Sequence, residues 1–203
     1  DDKRPLTDWL NDEKERITPI WRRVSEWAEL IVKELSENDE KIIFYRDSKF
    51  NYNGNEFLRK IAVVNVKKSN GKPSSKPEEL MEYVDKDNGE WLEQLQLCDP
   101  TIIVCGNVEY CLKEIIKNTG EKLVEVDRDH YIYRFNLNGH NVLVISYWHP
   151  ANRYPHLMNY YGFANVCKIA IEKNRWWFST ALWFESGASF ILPKTPSDNF
   201  CDD

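Results

Sequence analysis

The stretch SYWHPANRYPHLMNYYG, residues 146–162, holds the side chains best suited to chemistry. His149 follows the β-branched run NVLVIS and precedes Pro150, and a residue before proline is held extended. An imidazole fixed at the rim of a strand can donate a hydrogen bond to an oxygen on which negative charge builds. Removing one such donor costs ~3 kcal/mol of transition-state stabilisation. Asn152, Arg153 and Tyr154 come next, groups able to hold a phosphate or wedge into a stack of flat rings. The plainer reading is a half-buried histidine that satisfies a loop carbonyl, beside polar groups that pack on a surface.

Two other places carry comparable groups. Asn65 interrupts the apolar run AVVNVKK, and a carboxamide offers the donor and the acceptor needed to read the edge of an amide-like base. Lys67, Lys68 and Ser69 behind it can hold a phosphate, although a lysine-rich loop is more often simply solvated. Gly106 and Asn107 end a second apolar run, TIIVCGN. Ser-His-Asp order, a P-loop and HExxH are all missing, which removes the commonest acyl-transfer, nucleotide-hydrolysing and zinc-protease readings. Asp47 and Glu56 border the first loop as outlying acids, and His130 and His140 lie in or beside turns with no assigned role.

These groups need elements to carry them. Thr18-Pro19 reads as a cap with proline at the first helical position, and Ile20, Val24, Trp27, Ile31 and Leu35 recur at helical spacing over 19–36. KIIFY (41–45) is a short strand candidate, and KIAVVNV (60–66) reads as a buried strand. A helix starts at Pro77, with DKDNGE in its middle as a point of breakage. The stretch 99–107 gives a turn and a buried strand, and a helix marked by Val108, Leu112, Ile115 and Ile116 follows, with Gly120 at its C′ position. Strands divided by turns fill 123–146, with Asn138-Gly139 as a hairpin signal, and a helix follows over 157–173. Buried strands alternating with helices predict an α/β fold with a parallel-centred sheet covered on both faces. In such folds ligands bind beyond the carboxyl ends of the strands, where Asn65, Gly106 and His149 would meet on one rim.

Composition bounds the reading. The 203 residues suit a single domain, with an aromatic segment and then a loose tail over 186–203. The apolar runs are too short to span a bilayer, and the first residues carry no signal-peptide pattern; with Asp1 at its head, the chain need not begin where translation does. Five cysteines without a CxxC pair give no sign of zinc or redox chemistry and point to buried reduced thiols in a cytoplasmic, disulfide-free protein; no cofactor is expected. A net charge of −6 argues against broad attraction to a nucleic-acid backbone but leaves room for a local basic patch.

IAVVNVKK, LCDPTIIVCGNVEYCLKEI and VLVISYWHPANRYP, taken in order over residues 57–162, resemble the uracil-DNA glycosylase superfamily. The resemblance implies a three-layer α/β/α sandwich with a mainly parallel sheet. It also implies excision of a base flipped from DNA, by cleavage of its N-glycosidic bond without a metal. By position, Asn65 would read the base edge and His149 would stabilise the departing base anion. Gly106, Asn107 and Pro150 would line the substrate, while Asn152, Arg153 and Tyr154 form the loop that enters the stack. Lys67 and Lys68 would lie along the backbone. The family's opening loop with its water-activating acid is not recognisable, and is expected either upstream of Asp1 or lost. Ser69 stands where the iron–sulfur branch carries a cysteine, so no cluster is expected. A nucleotide-binding or interaction protein of the same fold, and a small-molecule nucleotide N-glycosidase, are the alternatives.

Overall fold

A computed structural model describes residues 19–36, 45, 57–66 and 75–174. Helix α1, Pro19–Ser36, takes the span its apolar spacing predicts. A 3-10 turn at Leu58–Lys60 precedes helix α2, Pro77–Cys98. Strand β1, Ile102–Gly106, leads to helix α3, Glu109–Lys117. Strands β2, Val124–Asp127, β3, Ile132–Leu137, and β4, His140–Tyr147, follow, and helix α4, His156–Lys173, closes the described chain. Helix α2 bends at Asp87, inside the DKDNGE segment, where φ −109° and ψ 19° leave the helical region without ending the helix. It ends at Asp99, whose left-handed φ of 43° lets its N–H reach Leu95 O.

The sheet runs β1-β4-β3-β2. Only β1 and β4 are parallel, with Ile102 opposite Leu143 and Gly106 opposite Tyr147, while β4–β3 and β3–β2 are antiparallel. The expected mainly parallel sheet is therefore corrected to a mixed one. The reason is local: Asn138 and Gly139, at φ 52° and 86°, form the two-residue turn that folds β3 directly back onto β4. The second correction concerns KIAVVNV. Residues 61–66 are not a strand, and Val63 and Val64 are 46% and 40% exposed. The segment instead bridges two apolar clusters, with Ile61 packed on one and Val66 on the other. A short β-branched run reads the same whether it lies inside a sheet or spans two packed regions.

β4 is the centre of the core, and Val142 to Ser146 are all buried, as expected of a strand covered on both sides. Its alternation divides the interior. Leu143 and Ile145 join Trp27, Leu30 and Ile31 of α1 and Tyr160, Phe163 and Cys167 of α4. Val142 and Val144 join Cys105 of β1 and Leu112 and Ile116 of α3. Cys105 and Cys111 are buried free thiols as the sequence suggests, and desolvation pushes Cys105 up to about 12. Among the described residues no helix is long and apolar enough to cross a membrane. KIIFY apart from Tyr45, the aromatic C-terminal segment and the tail lie outside the described residues.

The far end of the sheet is tied to α4 by Asp127. Lys173 Nζ donates to Asp127 Oδ2, the His130 backbone N–H donates to Asp127 Oδ1 at 3.2 Å, and His130 Nδ1 is hydrogen-bonded to Asp127 Oδ2 at 3.0 Å. The Lys173 bond, with those of His130, holds the carboxyl down at about 2. A carboxyl depressed in the fold contributes stability that is present above its ordinary value of 3.8 and lost as pH falls through its folded value. Urea unfolding of the wild type and Asp127→Asn should therefore show a gap that is constant above about pH 5 and closes toward pH 2. A gap independent of pH would remove this tie from the account of acid stability.

Candidate functional site

β1 and β4 end side by side, and their parallel register brings two turns together. After β1 the chain reverses at Asn107, where φ is 62°, a left-handed conformation that asparagine tolerates better than most residues. After β4 the chain passes through Trp148 and His149 into Pro150. The two turns touch at Gly106. A Cβ there would lie 3.3 Å from Pro150 Cδ and 3.5 Å from both Cα and Cδ2 of His149, so the two turns are in close contact at this point.

The loop from His149 to Pro155 is built of mutual hydrogen bonds. Asn152 N–H and Nδ2 both donate to His149 O at 2.9 Å. The carboxamides of Asn152 and Asn159 donate to each other at 2.7 and 3.0 Å, and Asn152 Oδ1 also accepts from Tyr154 N–H at 3.0 Å. Asn159, buried near the start of α4, donates in addition to Tyr154 O at 3.1 Å. From α1 the buried Arg23 donates to Pro150 O and Asn152 O at 2.6 Å and to Tyr154 O at 3.0 Å. The loop is consequently preorganised by two helices rather than by its own sequence alone.

His149 is exposed at the rim. Its Nδ1 accepts a hydrogen bond from Ala151 N–H at 3.0 Å. A nitrogen that accepts carries no proton, so the neutral ring bears its hydrogen on Nε2 and presents a donor. Partial desolvation lowers the His149 pKa from its ordinary value, which keeps the ring neutral near pH 7. The site thus offers an uncharged N–H donor beside a close-packed glycine turn. Such a group can stabilise an oxyanion without first losing a proton.

The other expected residues fall as follows. Asn65 is exposed on the extended segment, and Val66 after it packs on the cluster to which Val108 and Tyr110 also belong, just past the Gly106-Asn107 turn. Lys67, Lys68, Ser69, Asp47 and Glu56 lie outside the described residues. Arg153 is exposed. Tyr154, 45% exposed, meets the 51% exposed Trp148 edge to face at 5.4 Å between ring centres. The Asn152 carboxamide is spent inside the loop, which gives it a supporting part.

Sequence reasoning passed over Arg23, Asn159 and Trp148. The signal for the first two lay in helical spacing. Arg23 is in register with Trp27 and Leu30, and Asn159 with Phe163 and Cys167, all buried. A polar residue on the core stripe of a helix must be bonded inside, and these two are bonded to the loop that carries His149.

A second polar cluster lies at the same end of α1. Glu26, 2% exposed, accepts from His156 Nε2 at 2.8 Å and from Arg22 Nε at 3.2 Å, and its burial raises its pKa above the usual carboxylate range. Arg22 also donates to Tyr45 Oη, and Tyr45 N–H donates to Tyr161 Oη at 3.2 Å. On the opposite side of β4, Ser146 Oγ donates to Glu109 Oε2 at 2.7 Å and ties the strand to the first turn of α3. Among the described residues no group of three or more His, Cys, Asp or Glu is placed to hold a metal ion. Compared with known proteins, the chain matches no family model, no curated protein and no solved structure.

Proposed function

We propose that this chain is a uracil-DNA-glycosylase-like protein that cleaves the N-glycosidic bond of a uracil-type or modified base. In this reading it is a three-layer α/β/α sandwich acting on DNA or a nucleotide in the cytoplasm, without a metal, an iron–sulfur cluster or another cofactor. The observation that carries it is the hydrogen bond from Ala151 N–H to His149 Nδ1, which places the ring proton on Nε2 at the rim beside Gly106. As the glycosidic bond breaks, its electron pair goes to the base and charge gathers on an exocyclic carbonyl oxygen of the base. His149 donates to that oxygen, Asn65 reads the base edge, and water adds to the sugar carbon, the proton it releases ending on the departed base. Lys67 and Lys68 would steady the phosphates, and Arg153 with Tyr154 would occupy the gap left by the flipped base.

The test is excision from labelled oligonucleotides containing uracil, hypoxanthine or a modified cytosine. Abasic sites cleavable by alkali are expected on one of these substrates and on none of the undamaged controls. Intact strands throughout, with folded protein, would defeat the excision reading. The net charge of −6 favours a second reading, a nucleotide-holding relative or a small-molecule N-glycosidase, because it weakens attraction to a phosphate backbone. Nucleotide binding that changes little between about 50 and 200 mM salt would support that reading.

A further inference from the structure

We infer that Arg23 is a positioning residue for His149, acting through the single peptide unit that joins Pro150 to Ala151. The C=O of that unit accepts from Arg23 Nη1 at 2.6 Å, and its N–H donates to His149 Nδ1 at 3.0 Å. No described peptide bond is cis, so carbonyl and N–H point in opposite directions across one rigid plane. Fixing the carbonyl on the guanidinium therefore aims the N–H at the imidazole. A cation on the carbonyl also polarises the amide and strengthens the bond it donates.

The rest of the guanidinium prevents the plane from turning. The same Nη1 reaches Asn152 O at 2.6 Å, and Nη2 reaches Tyr154 O at 3.0 Å. A planar fork with fixed donor directions suits three carbonyls spaced two residues apart, and a lysine ammonium on a flexible stem does not. Arg23 itself is 9% exposed and sits on a helix packed in the core. The tautomer of His149 is thus set from the interior of the protein, by a residue 126 positions earlier in the chain (149 − 23).

This inference rests on the proposed excision site for its activity readout alone, and its main test needs no substrate. In 15N-labelled protein the His149 ring signals, assigned by their loss in His149→Gln, report which nitrogen holds the proton. Wild type should show an unprotonated Nδ1 and a protonated Nε2. In Arg23→Ala the Nδ1 signal should move toward the average of the two tautomers, and millimolar guanidinium ion should return it. Arg23→Lys should shift the same signal in the same direction by less, and serves alone if the alanine variant does not fold. A folded variant with a wild-type His149 signature overturns the inference, whether or not the protein excises a base. Where excision is found, Arg23→Ala should lower its single-turnover rate about 100-fold. A lower rate with an unaltered tautomer would overturn it equally.

Discussion

Replacing His149 with alanine should lower base excision by about 10²–10³-fold, the usual effect of deleting one preorganised donor to a developing oxyanion. The fold should hardly notice. His149 is exposed, and among the described residues its side chain bonds only an N–H that water can satisfy in its place, so unfolding free energy should change by no more than about 0.5 kcal/mol. His149→Gln keeps a donor at the end of a longer, less rigid side chain and should recover part of the rate. The pH profile adds a separate check. Above the lowered pKa of the ring, Nδ1 accepts from Ala151 and Nε2 donates, so the histidine's contribution should be flat through neutrality. As pH falls through that pKa, a proton on Nδ1 removes the acceptor and releases the ring from Ala151. Single-turnover rates of wild type and His149→Ala across pH 5–8 would show it, and equal rates in the two proteins would sink the mechanism.

How far the sequence predicts this site depends on what each residue must satisfy locally. The helix over 19–36 and the Asn138-Gly139 hairpin follow from spacing or from backbone needs that only a few residue types meet. His149 and Pro150 stand out because a proline fixes the residue before it. Asn65 was legible as a residue but not as a position, since its apolar neighbours suggest a strand where the structure has an exposed extended segment. The sheet direction was missed for a related reason. Buried strands look alike in parallel and antiparallel pairs, and the tight turn between β3 and β4 decides their direction more strongly than the alternation with helices does. Arg23 and Asn159 were invisible as site residues because their partners are backbone groups far away in the sequence. Only their position on an apolar stripe marked them.

That stripe also leads to the largest expected loss of stability, in Phe163→Ala. Phe163 is completely buried, stacks on Trp27 with ring centres 4.8 Å apart and meets Tyr147 edge-on at 5.3 Å. Trp27 and Tyr147 also touch, at 5.5 Å, so the three rings join α1, β4 and α4 at one point. Truncation removes most of a buried ring and leaves a void that these neighbours can only partly fill, at a cost of about 3–5 kcal/mol. For a domain of this size that corresponds to a melting temperature about 10 °C lower, or more. The same elements carry Arg23, one turn before Trp27, and His149, two residues after Tyr147. The variant should therefore also loosen the loop, and its His149 ring signals should broaden well below the melting point. Phe163→Leu keeps more of the volume and should cost clearly less, while Leu97→Ala, at a residue 74% exposed, should stay within about 0.5 kcal/mol. Urea unfolding of the three variants decides the matter. A Phe163→Ala cost below about 1 kcal/mol, the range of mild surface changes, would mean that the rings do not anchor the two helices to β4.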